Sequence, residues 1–162
     1  MQFYLRSALV VLGLLVLQTT FIQWMELGGV VPDILFVWLM YIAITRGQID
    51  ATVAGFTVGL LQDLATTQFF GLAALAKTVS GFVGGYFYNE NKTEIMLGTY
   101  RFVLVTMICS VVHNLIYFGI FFQGIDGGVL VPLLRYTMTT TLYTGAVSAL
   151  PMFAFFRKYL TA

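Results

Sequence analysis

Residues 102–122 read FVLVTMICSVVHNLIYFGIFF, an apolar stretch without any Asp, Glu, Lys or Arg. A helix needs about 20 predominantly apolar residues to cross the hydrocarbon core of a bilayer, so this stretch predicts a transmembrane helix. The rest of the chain has the same character. Of its 162 residues, 59% are hydrophobic and 9% are charged, whereas a soluble domain carries about 25% charged residues. The composition therefore indicates side chains that face lipid rather than water.

Polar breaks divide the chain into six predicted spans, of which this stretch is the fifth. They cover residues 7–25, 31–45, 51–64, 72–88, 102–122 and 131–156. The second is predicted to open with Pro32 in its first turn, where proline is tolerated, and Asn89–Glu94 is the clearest loop. Six spans of about 20 residues use most of the chain. We therefore predict an all-α integral membrane protein with one six-helix transmembrane domain and no soluble domain.

The basic residues predict the orientation of these spans. With both termini on one side of the membrane, the loops of the opposite side, around Glu26, residues 66–70 and Asp126, contain no Lys or Arg. Cytoplasmic loops carry an excess of basic residues, so both termini are predicted to be cytoplasmic. The basic residues of that side are Arg6, Arg46, Lys92, Arg101, Arg157 and Lys158.

Several polar residues fall inside the predicted spans, where charges are rare and usually face the bundle interior with a partner. The topology places them together near the outer end of the bundle. They are Asp33 (beside Pro32), Asp63, Lys77, His113, Asn114 and Arg135. A short loop separates Asp63 from Lys77, so we expect these two to pair directly. The cluster is either a set of structural ion pairs that fixes which helices are neighbours or a polar pocket or partner-docking site open to the outside.

Small residues recur every four positions in three spans, a spacing that lets helix backbones approach closely in lipid. The pairs are Gly55 and Gly59, Gly81 and Gly85, and Gly145 with Ala149. We expect them to pack the protein's own helices against each other. The alternative is that one of these strips faces the transmembrane helix of a partner.

The sequence also argues against several classes of function. A formal net charge of +1 and the lack of a basic run do not favour nucleic-acid binding. The single cysteine, Cys109, cannot form an internal disulfide, and no Cys or His spacing suggests a metal site. No nucleophile stands near a base and an orienting group in the sequence. We therefore predict a protein that is not an enzyme and has no cofactor.

Three segments carry a resemblance to a known family. Residues 32–35 read PDIL, residues 55–64 read GFTVGLLQDL and residues 71–75 read GLAAL, in that order and spacing. Together with the chain length and the six-span plan, they resemble the rod shape-determining membrane protein family MreD. The Pro-Asp and Gly-x-x-x-Gly-x-x-x-Asp positions of the family fall on Pro32, Asp33, Gly55, Gly59 and Asp63.

The resemblance implies a non-enzymatic part of the bacterial cell-elongation machinery in the inner membrane, with a role in peptidoglycan synthesis and cell shape. It implies binding to MreC, a single-span protein with a periplasmic domain. Through MreC the family acts with a RodA-type glycosyltransferase, a class B penicillin-binding protein and MreB filaments. The implied fold is similar to that of the substrate-binding (S) components of energy-coupling-factor (ECF) vitamin transporters.

Two other functions remain open at this point. The chain is alternatively such a substrate-binding component itself, since the fold and an outward polar cluster suit that role as well. An intramembrane enzyme is a weaker hypothesis, because it requires His113 or one of the acids to act as a base.

Overall fold

The computed structural model describes residues 2–20, 30–66, 69–123 and 129–160, with side chains described within 7–154 of these ranges. The described residues form seven helices and no strand. The helices are α1 (Gln2–Thr20), α2 (Ile34–Arg46), α3 (Gln48–Thr66), α4 (Leu72–Gly84), α5 (Thr93–Leu97), α6 (Tyr100–Phe121) and α7 (Leu130–Leu160). A 3-10 turn, Gly85–Phe87, extends α4. The all-α class predicted from composition is therefore confirmed.

The helix boundaries differ from the prediction in ways that the local sequence explains. The expectation that Pro32 lies in the first turn of the second helix is wrong, because Asp33 is the N-cap and its side chain accepts the Phe36 N–H. The third helix is longer than predicted and begins at Gln48. The predicted loop Asn89–Glu94 runs into the short helix α5. Residues 21–25 of the predicted first span lie outside the described residues.

A helix that crosses a membrane must be both long and apolar. Among the described residues, α6 is the one helix that is both long and apolar enough to cross a membrane. The segments Ser7–Thr20 and Ile34–Arg46 are apolar but shorter. The arrangement with six spans is therefore a proposal.

Helices α3 and α4 form the closest helix pair of the bundle, and glycines make their approach possible. A Cβ atom on Gly55, Gly59, Gly81 or Gly85 would lie 2.4–2.5 Å from a backbone atom of the facing helix. Gly145 lies in a less tight contact between α7 and α6, because a Cβ on it would lie 2.9 Å from a flexible methionine side chain rather than from backbone. All five glycines thus lie in contacts between the protein's own helices.

Helix α7 buries hydroxyl side chains and exposes large apolar ones, the reverse of a helix in a soluble protein. Its buried side chains include five hydroxyl residues: Thr137, Thr140, Thr141, Thr144 and Ser148. Its exposed side chains include four large apolar residues: Leu134, Met138, Leu142 and Leu150. A helix with its apolar face outward and its hydroxyl face inward is suited to a lipid solvent, since polar side chains in membranes bond across helices.

Helix α2 lies at the centre of the bundle. It contacts α1, α3, α4, α6 and α7, and Leu35, Phe36, Leu39 and Met40 are fully buried. The start of α2, the end of α3 and the start of α4 meet at one end of the bundle, where most of the predicted cluster lies.

Candidate functional site

A buried ion pair joins α2 to α4. The Lys77 ammonium, on α4, contacts Asp33 Oδ2, and the lysine side chain is 0% exposed. The other carboxylate oxygen of Asp33 accepts the Phe36 N–H at 2.8 Å, which satisfies one of the orphan donors at the start of α2. The Asp33 N–H donates to Thr144 Oγ1 at 3.2 Å. This residue therefore ties together three helices.

Asp63, near the end of α3, binds backbone rather than a base. Its carboxylate accepts the N–H groups of Gly71 at 3.0 Å, Ala73 at 3.1 Å and Ala74 at 3.1 Å. The first N–H groups of a helix have no partner within the helix, and the short connection from α3 brings those of α4 to this carboxylate. The predicted direct pair between Asp63 and Lys77 is therefore wrong.

His113 and Asn114 lie next to each other on α6 and are both buried. His113 Nε2 lies 3.9 Å from Asp33 Oδ2, and its ring contacts Phe36, with the ring centroids 5.0 Å apart. The Asn114 amide donates to Ser110 and Thr141 at 3.2 Å each. Asn114 therefore links α6 to α7, whereas His113 faces the ion pair.

Arg135 does not join this buried cluster, and the expectation that it would is wrong. Its side chain is exposed, because α7 turns its hydroxyl face inward and Arg135 lies outside that face. Pro32 is fully buried beside Asp33. The structure thus brings together Asp33, Lys77 and His113, and Asp33, His113 and Asp63 line a shared cavity.

The cavity has a volume of about 230 Å³ and lies where α2 and α4 begin. Its wall contains twelve residues with polar side chains: Gln18, Thr19, Asp33, Gln62, Asp63, Thr66, Ser110, His113, Asn114, Tyr117, Thr140 and Thr144. The sequence reasoning missed the two glutamines and the α7 hydroxyls. One signal could have found the hydroxyls, since Thr137, Thr140, Thr141, Thr144 and Ser148 follow the spacing of a single helix face.

The glutamine of α1 helps to build this end of the bundle. Gln18 Oε1 accepts the Leu35 N–H at 3.1 Å. In the first turn of α2, one N–H is thus satisfied from α1 and another by Asp33. Backbone groups that no water reaches must find such partners, or they cost several kcal/mol each in hydrocarbon.

The described groups of this site are suited to binding. In the parts of the chain that the structure describes, no group of three or more His, Cys, Asp or Glu could hold a metal ion. The Cys109 thiol is buried away from the cavity wall, and the carboxylates are held by a lysine and by backbone N–H groups. The site offers hydrogen-bonding groups and a charge pair but no assembled nucleophile.

The family model of rod shape-determining protein MreD matches residues 1–162, which is the whole chain. Neither a curated protein nor a solved structure matches the chain significantly.

Proposed function

Since the chain belongs to the MreD family of rod shape-determining proteins, we propose that it is a non-enzymatic membrane scaffold of the bacterial cell-elongation machinery. It binds a single-span, MreC-like protein. Through that partner it acts with a RodA-type glycosyltransferase, a class B penicillin-binding protein and MreB filaments in peptidoglycan synthesis. The observation that carries the proposal is the family match over all 162 residues.

The proposed location is the inner membrane, with six spans and both termini in the cytoplasm. The spans are α1, α2, α3, α4, α6 and α7, because α5 has 5 residues and is too short to cross. Large apolar side chains on the outward faces support contact with lipid, among them Val53, Phe56, Leu104, Ile108 and Leu142. The membrane lipid is thus the solvent of the outer surface.

Two of the proposed spans are short, and the cavity accounts for this. Helices α2 and α4 have 13 residues each, or about 20 Å at 1.5 Å per residue, and the 3-10 turn after α4 adds about 6 Å. Both lengths are shorter than the hydrocarbon thickness of about 30 Å. Helix ends within a membrane are tolerated where they are buried in protein or line a polar cavity. Asp33 and Asp63 satisfy the N–H groups at the starts of α2 and α4, so both helices can begin below the membrane surface.

Co-purification tests the scaffold. The chain, tagged and co-expressed with the MreC-like protein of the same genome, should recover that protein in mild detergent in a stoichiometric complex. The control is a version of the partner whose transmembrane helix is replaced by that of an unrelated single-span protein. Failure to recover a partner that is made and inserted in the membrane would count against the scaffold.

The polar cavity favours a second candidate, the substrate-binding component of an energy-coupling-factor vitamin transporter. The volume of this cavity, about 230 Å³, is smaller than that of pockets that enclose drug-sized ligands, roughly 300–1,000 Å³. We therefore favour the scaffold. Native mass spectrometry separates the two, because a transporter component should retain a stoichiometric vitamin and a scaffold should not.

A further inference from the structure

The polar cavity adjoins a second cavity with aromatic walls. The second cavity has a volume of about 330 Å³. Its aromatic lining consists of Tyr117, Phe118, Phe121, Phe122 and Tyr136. Four residues, Val31, Tyr117, Phe118 and Thr140, line both cavities. The aromatic cavity therefore lies directly beside the cavity that contains the carboxylates.

Three polar atoms of the residues in these walls are buried without a hydrogen-bond partner among the described residues. They are the oxygens Thr140 Oγ1 and Gln62 Oε1 and the ring nitrogen His113 Nδ1. Thr140 is 8% exposed and faces both cavities, while Gln62 lines the polar one. Most buried polar groups in folded proteins have a partner. Oxygens without a partner in a cavity wall are acceptors open to a ligand that donates hydrogen bonds.

The charges at this end of the bundle favour a cationic donor. The ammonium of Lys77 is already paired with Asp33, and among the described side chains no base pairs with Asp63, which accepts backbone N–H groups. The described residues that line the two cavities include Asp33 and Asp63 but no Lys or Arg, so a positive ligand meets acids rather than bases in these walls.

Ammonium and guanidinium groups fit these walls in three respects. They carry three and five N–H donors respectively and no acceptor, so they match a wall rich in carboxylate, amide and hydroxyl oxygens. Aromatic faces attract cations, and the second cavity supplies such faces along the approach. An alkyl stem attached to the cation can pack against the same rings.

We propose that the two adjoining cavities bind an alkyl ammonium or alkyl guanidinium ion. Its charged head lies in the polar cavity near Gln62, Asp63 and Thr140, and its stem lies against the aromatic wall. The cation is supplied by a Lys or Arg side chain of another protein or by a free amine. The proposal concerns the chemistry of the cavity and does not depend on the identity of the partner proposed above.

Thermal unfolding of the purified full-length chain in detergent tests this proposal. Propylammonium and propylguanidinium chloride are titrated in the millimolar range at constant ionic strength, with 1-propanol, sodium propionate and sodium chloride as comparisons. A ligand that binds the native state raises the melting temperature in a saturable way. We expect such a rise with the two organic cations and not with the neutral, anionic or inorganic compounds.

Two substitutions place the effect in the cavity. Thr140→Val and Gln62→Leu each remove an oxygen without a partner and keep similar side-chain volume. Each should weaken the binding of the cation about tenfold, as expected for the loss of one hydrogen bond to a charged group. Thr139→Val is the matched control, because Thr139 is exposed and its hydroxyl bonds the carbonyl of Arg135. If Gln62→Leu does not fold, Thr140→Val carries the comparison.

A pair of capped tripeptides distinguishes the two sources of the cation. Acetyl-Gly-Arg-Gly-amide is compared with acetyl-Gly-Gln-Gly-amide in the same assay. Tighter binding of the arginine peptide than of propylguanidinium supports a protein side chain, and the reverse order supports a free amine. The proposal is overturned if neither the cations nor the arginine peptide give a saturable rise. It is also overturned if 1-propanol acts equally or if Thr140→Val binds like the unsubstituted chain.

Discussion

Removing the ammonium of Lys77 should destabilise the protein strongly. Lys77→Met keeps the length of the side chain but leaves the Asp33 carboxylate without its cation at a site where the lysine is 0% exposed and Asp33 is 12% exposed. Opposite charges 4 Å apart attract by about 4 kcal/mol at an effective dielectric constant of 20. Removing one partner of a buried pair costs about 3–5 kcal/mol.

This loss should appear as a lower melting temperature. For a chain of this size, 1 kcal/mol corresponds to about 2–4 °C, so Lys77→Met should lower the melting temperature by about 6–20 °C. The measurement is thermal unfolding in detergent, followed by circular dichroism. Lys92→Met is the control, since Lys92 is exposed in the loop before α5 and its loss should change little.

A double-mutant cycle separates the ion pair from packing. Asp33→Asn removes the charge but retains a side chain that caps helices as well as aspartate does, so the Phe36 N–H keeps its acceptor. The combined Asp33→Asn and Lys77→Met variant should be more stable than the sum of the single losses predicts, by about 2 kcal/mol. Additive losses, or a Lys77→Met variant as stable as Lys92→Met, would refute the reasoning.

Three further predictions follow from the bundle. Asp63→Ala leaves three N–H groups of α4 without their acceptor and should cost more than about 2 kcal/mol in a denaturant titration; an unchanged midpoint would mean that water replaces the carboxylate. Gly59→Ala places a Cβ 2.4 Å from the backbone of α4 and should cost about 1–3 kcal/mol. Gly119→Ala, with no atom within 4 Å of its Cβ, should be neutral or stabilising in the same titration, and similar effects of the two changes would contradict the packing argument. Asn91→Cys should react with a membrane-impermeant thiol reagent only after cell lysis, whereas Asp126→Cys should react in intact cells. The opposite pattern would overturn the proposed topology.

The polar cluster shows how much of the site can be predicted from the sequence. The sequence alone identified Asp33, Asp63, Lys77, His113 and Asn114 as polar residues within apolar segments, and the structure places all five in one end of the bundle. This is predictable because burying polar groups in an apolar helix requires partners, and the alternation of loops fixes the depth of each residue along the bundle axis.

Several properties thus follow from the sequence by itself: the all-α class, the segments that form the main helices, and the glycines of the α3–α4 contact. They depend on composition and on spacing along one helix, which the chain carries locally. The tertiary structure alone decided that Lys77 pairs with Asp33 rather than Asp63, that Arg135 stays outside the cluster, and that Gln62 and Thr140 line a cavity. Those outcomes depend on how each helix rotates about its axis and on which helix end approaches which carboxylate, and contacts between distant segments set both.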